Sequence, residues 1–277
     1  MHRTLYISDL DGTLLDENAK ISDYAKRELI KLINKGMHFT VASARSIFSI
    51  KQILGDIPFE FPIISFNGGY IIDYKTEKIF HAANICEEAV EYLENWMKKN
   101  EVYPFISCLD GEEQLLLYKT ITSGGMKWYL DNLNKSLDKR LKKFEEIDDI
   151  KYMKKMSYTF MDKEDKIEKI YNEFSKILKN KVNFQKFENS YSPGWFWLTI
   201  ESKEATKAEG IKKMMEISKV KFDEIIVFGD HLNDYEMFDF ADRAYAVSNA
   251  EDELKKIASD VIGSNLEDGV IKFLLMQ

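Results

Sequence analysis

Both ends of the chain alternate short apolar runs with helical patterns, and few architectures accept that alternation. Leu5-Tyr6-Ile7 is a short apolar run ended by the turn-forming residues Asp9-Leu10-Asp11-Gly12. Ser22 then has the character of a helix N-cap. Ala25, Leu29, Ile30, Leu32 and Ile33 follow at helical spacing, and Gly36 supplies a stop. A strand is expected at 39–42, a helix at 47–54 and a strand at 62–66. That strand runs into Asn67-Gly68-Gly69, a hairpin signal with 70–72 as the return strand. The far end resumes the alternation. A helix at 208–217 precedes Ile225-Ile226-Val227-Phe228, which Gly229-Asp230 stops; helix, strand and helix follow at 233–240, 244–247 and 252–258. Buried strands joined through helices imply an α/β fold with a parallel sheet and right-handed crossovers.

The middle of the chain follows another rule. Helices are expected at 87–99, 126–137 and 163–178. Strands are expected at 102–109, 114–118, 156–160, 182–187 and 195–200, the first two forming a hairpin around Asp110-Gly111. This is an α+β pattern set inside an α/β one. It divides the chain into a core at 1–82 and 192–277 and an inserted α+β domain at 83–191.

Composition narrows the partners. A net charge of −8 on 277 residues repels nucleic-acid phosphates and anionic membranes, so neither is an expected partner. No run of about 18 apolar residues is present, and the N-terminus reaches its first strand too soon for a signal peptide. Cys86 and Cys108 form no CxxC pair and read as reduced thiols. These features together lead us to expect a cytoplasmic protein, a monomer or small homo-oligomer.

Two acidic motifs sit where open α/β sheets bind ligands, at the carboxyl ends of strands. In Asp9-Leu10-Asp11-Gly12-Thr13 the two carboxylates lie two apart and point the same way from an extended segment. One can attack phosphorus while the other handles protons, although a polar turn closed by Asp-Gly fits the pentapeptide equally well. Gly229-Asp230-His231-Leu232-Asn233-Asp234 adds two carboxylates and an amide in one turn, a donor set suited to a hard cation such as Mg²⁺. A simple N-cap accounts for one of those residues but not three. Ser43 ends the second strand, where a hydroxyl beside helix-start amides suits a phosphate oxygen; a plain N-cap serine is the commoner arrangement. Arg45 fits either a salt bridge or a substrate contact. Lys207 opens a helix, an unfavourable place for a cation unless it faces a bound anion.

DLDGT at 9–13, SAR at 43–45, Lys207 and GDHLND at 229–234 stand in the order of the four motifs of the haloacid-dehalogenase-like (HAD) hydrolases. The chain resembles that superfamily, and the insert between the second and third motifs resembles the cap of its Cof-type subgroup. Asn67-Gly68-Gly69 is similar to that subgroup's Asn-Gly turn, and 198–207 to its lead-in to the motif lysine. The resemblance implies a Rossmann-like HAD core with an inserted α+β cap. It implies an Mg²⁺-dependent phosphatase that acts on a small phosphorylated metabolite, a sugar phosphate or phosphorylated cofactor, through an aspartyl-phosphate. Asp9 would be the nucleophile and a metal ligand. Asp11 would be the general acid and base and ligate metal through its carbonyl. Asp230 and Asp234 would complete the metal set. Ser43, Lys207, Asn233 and Arg45 would hold the phosphorylated substrate. Ala44 and Glu204 depart from residues common in the family, glycine in both cases, and Ser43 replaces a more frequent Thr. Two alternatives share these residues: a phosphotransferase or mutase of the same superfamily, and a metal- and phosphate-binding regulator without turnover. Among the aromatics, Tyr118, Trp128, Tyr158, Trp195 and Trp197 are candidates for a substrate-facing wall.

Overall fold

The computed structural model describes residues 3–147, 150–189 and 191–277. In chain order its strands and α-helices are β1 (Thr4–Ser8), α1 (Asp23–Asn34), β2 (His38–Val41), α2 (Ile47–Leu54), β3 (Ile63–Ser65), β4 (Tyr70–Ile72) and β5 (Ile79–Ala82). Next come α3 (Glu87–Asn100), β6 (Phe105–Asp110), β7 (Glu113–Tyr118), α4 (Gly124–Lys135), β8 (Leu141–Lys143), β9 (Lys154–Asp162), α5 (Glu164–Leu178), β10 (Val182–Glu188) and β11 (Phe196–Ser202). The chain closes with α6 (Lys207–Ser218), β12 (Glu224–Gly229), α7 (Tyr235–Phe240), β13 (Arg243–Val247), α8 (Asp252–Ile257), β14 (Asp260–Ile262) and α9 (Gly269–Leu274).

These elements form two compact units, Met1–Ala82 with Ala205–Gln277, and Ala83–Glu204. The first holds a five-stranded sheet in the order β14-β13-β12-β1-β2, parallel throughout. Its central strands read as unbroken apolar runs because both faces are covered: Leu5, Ile7, Ile226, Val227 and Phe228 have no exposed surface. Strand order reverses at β1, whose sequence neighbour β2 lies on one side and the late strand β12 on the other. Such a reversal opens a crevice at the carboxyl ends of the strands. A single parallel bridge, Ala42 to Ile64, carries β2 toward β3, which pairs antiparallel with β4, and β4 with β5. The Asn-Gly turn expected there is a short 3₁₀ segment at Phe66–Gly68.

Helix α1 begins as its sequence predicts. The Ser22 hydroxyl accepts from the Ala25 amide at 2.9 Å, and Ala25, Leu29 and Ile33 bury one stripe. Helix α2 does not start at Ser43. Its N-cap is Ser46, whose hydroxyl accepts from Ser49 N, which leaves the Ser43 hydroxyl outside the helix.

The second unit is a six-stranded sheet, β10-β11-β9-β6-β7-β8, antiparallel except for β7 with β8. Alternation along the strands sorts its two faces. Ile106, Cys108, Leu115, Leu117, Tyr158, Phe160, Leu198 and Ile200 face Ala89, Leu93 and Met97 of α3 and Ile167, Phe174 and Leu178 of α5. The opposite parity, Phe105, Leu116 and Met161, packs with Met126 and Leu133 of α4. Tyr158 is therefore a core residue with no exposed surface. Trp197 packs its ring 4.9 Å from Tyr129, and Trp195 lies against Gly124 and Gly125 with Lys163 Nζ 3.8 Å from its ring.

The second unit runs past the boundary expected at 191: β11 pairs with β9 and β10, so the unit extends to Glu204. The pattern at 195–200 is that of a half-buried strand, and nothing local tells such a strand which sheet will receive it.

Candidate active site

The carboxyl ends of β1 and β12, adjacent and parallel, bring the two acidic motifs together. Asp9 follows β1, its amide donating to Phe228 O at 2.9 Å, and Asp230 follows β12. Asp9, Asp230 and Asp234 each offer a carboxylate oxygen, all within 4.8 Å of one another. Lys207, the first residue of α6, reaches this group from a separate element. Its Nζ donates to Asp9 Oδ1 and to Asp234 Oδ1, both at 2.5 Å, with its side chain and that of Asp234 fully buried. Thr206 caps the helix by accepting from Glu209 N, so the lysine leaves the N-terminus toward the carboxylates.

The turn after β12 is organised by Asp234. Its Oδ2 accepts from the amides of Asp230 (3.0 Å) and His231 (3.1 Å), closing the loop on itself. Gly229 has no Cβ because Asp234 fills that space, 2.6 Å from where one would stand. Gly12 is held more tightly: at φ +75° a Cβ would lie 2.2 Å from Asp230 Oδ2. The DLDGT turn and the Asp230 carboxylate are thus in direct packing contact. His231 is exposed and pairs with Glu251 at 2.8 Å, away from the carboxylate cluster's ligand set.

Burial dominates the electrostatics of this cluster. It raises the Asp9 carboxyl well above its ordinary range; Lys207 opposes the rise, and Asp234, Asp230 and Asp11 add to it. Asp230 is pushed up to about 6 by burial and by Asp234, against the hydrogen bond from Thr13 and the charge of Lys207. For Lys207 burial favours loss of the proton, but the carboxylates of Asp234 and Asp9 overcome it and hold the proton more firmly than usual. With all three carboxylates ionised, one ammonium leaves two negative charges that a divalent cation would balance. An all-oxygen donor set of this kind fits Mg²⁺.

The remaining sequence candidates form a second layer. Asp11 is held by Arg45 through two contacts, Nη2 to Oδ1 at 2.5 Å and Nε to Oδ2 at 2.7 Å, and Arg45 also donates to Ser49 Oγ. Of the two roles left open for Arg45, the structure displays the salt bridge. Ser43 is buried after β2, its hydroxyl accepting from Arg45 N at 3.1 Å and its carbonyl accepting from Asn67 N at 2.9 Å. Asn233 donates to Asn67 Oδ1 at 3.3 Å.

Three supporting residues were not singled out for a role by sequence reasoning. Thr13 Oγ1 donates to Asp230 Oδ1 at 2.9 Å, and its place inside DLDGT was the available signal. Asn67 bridges the segments of Ser43 and Asn233. Asn249 donates to Gly12 O at 2.7 Å across more than 200 residues of sequence, a contact with no local signal.

A chain with this sheet and this cluster has close relatives. A family model described as haloacid dehalogenase-like hydrolase matches residues 6–274. Two Bacillus subtilis proteins, each named a 5-amino-6-(5-phospho-D-ribitylamino)uracil phosphatase, are similar along nearly their whole length. One is 28% identical, covering 96% of this chain and 95% of its own; the other is 24% identical, covering 96% and 94%. The crystal structure of a haloacid dehalogenase-like hydrolase from Bacteroides thetaiotaomicron superimposes with a TM-score of 0.77, covering 100% of this chain and 99% of that one at 22% identity. Among the described residues no helix is long and apolar enough to cross a membrane. With the motif residues gathered at the strand-order reversal and the family match running almost end to end, the chain belongs to the haloacid dehalogenase-like hydrolases and is a phosphatase.

Proposed function

We propose that the chain is a Mg²⁺-dependent phosphomonoesterase that works through an aspartyl-phosphate on Asp9. The observation that carries this reading is the buried cluster itself: three carboxylates within 4.8 Å, two of them on one lysine ammonium, at the carboxyl ends of β1 and β12. A structural cluster would be expected to balance its charge within the protein, since unpaired buried carboxylates are costly. Asp9, Asp230, Asp234 and the Asp11 carbonyl would hold Mg²⁺, which supplies positive charge against the phosphate dianion and the attacking carboxylate.

Asp9 then attacks phosphorus, and the bond to the leaving oxygen breaks. Asp11, protonated, delivers its proton to that oxygen and releases the alcohol. In the second half a water attacks the phosphorus, Asp11 takes its proton, and Asp9 is restored as phosphate departs. Lys207, kept protonated by Asp9 and Asp234, offsets charge on the transferring group, with Ser43 and Asn233 hydrogen-bonding its oxygens. Arg45 pairs with both oxygens of the Asp11 carboxylate, so it must release one of them before Asp11 can carry the proton it delivers. The unit at 83–204 takes the role of the substrate-selecting cap, and the rest that of the catalytic core, in a cytoplasmic enzyme. The two Bacillus subtilis relatives named for a phosphoribityl substrate support a small phosphorylated metabolite, with sugar phosphates and phosphorylated cofactors as the classes to try.

The test is phosphate release from an aryl phosphate, with Mg²⁺ and with chelator, by the parent and Asp9→Asn. Release that needs Mg²⁺ and disappears in the variant is expected. Chelator-resistant release, or an active Asp9→Asn, would sink the reading.

A further inference from the structure

Among the described residues, the 3₁₀ segment Phe66–Gly68 holds three consecutive positive-φ positions. Phe66, Asn67 and Gly68 follow one another at φ +49°, +51° and +98°. Glycine visits this region freely and asparagine tolerates it, but an aromatic residue there is a rare outlier. Outliers of this kind persist where the surroundings over-determine them, and here the surroundings are the elements carrying three site residues.

The turn reaches all three of those segments, two of them through Asn67. Asn67 N donates to the carbonyl of Ser43 at 2.9 Å, and Phe66 N to that of Arg45 at 3.2 Å. Asn67 Oδ1 accepts from Asn233 Nδ2 at 3.3 Å. Gly68 is pressed on the start of α6: a Cβ there would stand 2.1 Å from Thr206 O, and the next residue is Lys207. Asn67 itself is buried.

We propose that Asn67 is a positioning residue, setting the spacing of Ser43 and Asn233 around the phosphoryl group. The proposal rests on the reading of those two as groups that hold phosphate. Asn67 fits the task because one residue supplies a main-chain donor to the Ser43 segment and a side-chain acceptor to Asn233. An ordinary turn would need neither, and glycine at this φ would serve it better.

Asn67→Gly separates the two roles, since it keeps the backbone conformation and removes only the amide. In the full-length protein with Mg²⁺, binding of inorganic phosphate is measured by calorimetry beside KM and kcat for an aryl phosphate. Asn67→Gly is expected to bind phosphate about tenfold more weakly, with KM rising more than kcat falls and the thermal midpoint unchanged or higher. Asn233→Ala is expected to lose more, since it also removes the group placed on the phosphate, and the double variant no more than Asn233→Ala alone, because the two residues share one contact.

Asn67→Gly with parental phosphate affinity and KM would overturn the proposal while leaving the phosphatase reading intact. Loss of cooperative melting in Asn67→Gly would overturn it too, since the amide would then be holding the fold. A parent that neither binds phosphate nor releases it from esters would overturn the phosphatase reading, and this inference with it.

Discussion

At the scale of single residues, the cluster's chemistry follows from where charge is buried. Asp230 carries a carboxyl pushed up to about 6, so between its ordinary value near 4 and about 6 the folded protein binds more protons than the unfolded chain. Stability contributed by this group is therefore present at low pH and lost as pH rises through about 6. In chelator, the protein is expected to lose stability across that window, the interval corresponding to about 3 kcal/mol for this one group. Asp230→Asn should flatten that part of the pH–stability curve and raise the denaturation midpoint at pH 7, because an amide still accepts from Thr13. A variant less stable than the parent in chelator at pH 7 would contradict this account. Asp11 gives a complementary prediction. Asp11→Asn keeps the carbonyl expected to ligate metal and removes the group that moves protons. Mg²⁺ binding by calorimetry should survive while kcat falls by about 10²–10⁴. Gly12→Ala is expected to weaken both, since its methyl group would overlap Asp230 Oδ2 and the backbone sits at positive φ.

At the scale of elements, the helix that presents Lys207 depends on its cap. Thr206→Ala removes the hydroxyl that accepts from Glu209 N and is expected to cost about 1 kcal/mol in chemical denaturation. Most of the elements were legible because their signals are local. Ser22 before a stripe of Ala25, Leu29 and Ile33 marks α1, and the apolar run Ile225–Phe228 stopped by glycine marks β12. Legibility failed where the deciding partner is distant in sequence. Ser43 resembles an N-cap in the sequence, but Ser46 takes that role once the chain turns toward Ile64. The chain's allotment of β11 depends on β9 and β10, and short strands such as β8 and β14 carry three residues each, too few for a period to emerge. Within the site, the carboxylates were legible from their spacing at strand ends, and Lys207 from opening a helix and from its place in the motif order. The polar links from Thr13, Asn67 and Asn249 were not, because a hydrogen bond made across the fold leaves no periodic mark.

At the scale of the whole molecule, the two units have separate hydrophobic cores, so residues 83–204 expressed alone are expected to melt cooperatively. Mg²⁺ at a hundredfold excess over its dissociation constant should add about 2.7 kcal/mol to the unit holding Asp9, Asp230 and Asp234 and nothing to the isolated 83–204 fragment. A fragment stabilised by Mg²⁺ to the same degree would place the metal elsewhere. The arrangement of the first unit also has a consequence in time. Thr4 lies opposite Glu224 in the register of β1 with β12, so one edge of β1 must wait for a strand made near the end, while β2 is available early for the other. At a synthesis rate of about 5–20 residues per second, that wait is roughly 10–45 s. Throughout it the emerging chain carries Asp9 without Lys207, Asp230 or Asp234, while the intervening unit is already long enough to collapse on its own. An interrupted translation product would therefore hold a finished 83–204 domain and a first strand with β2 on one edge and the other edge open, a target for chaperones and proteases rather than a partly active hydrolase.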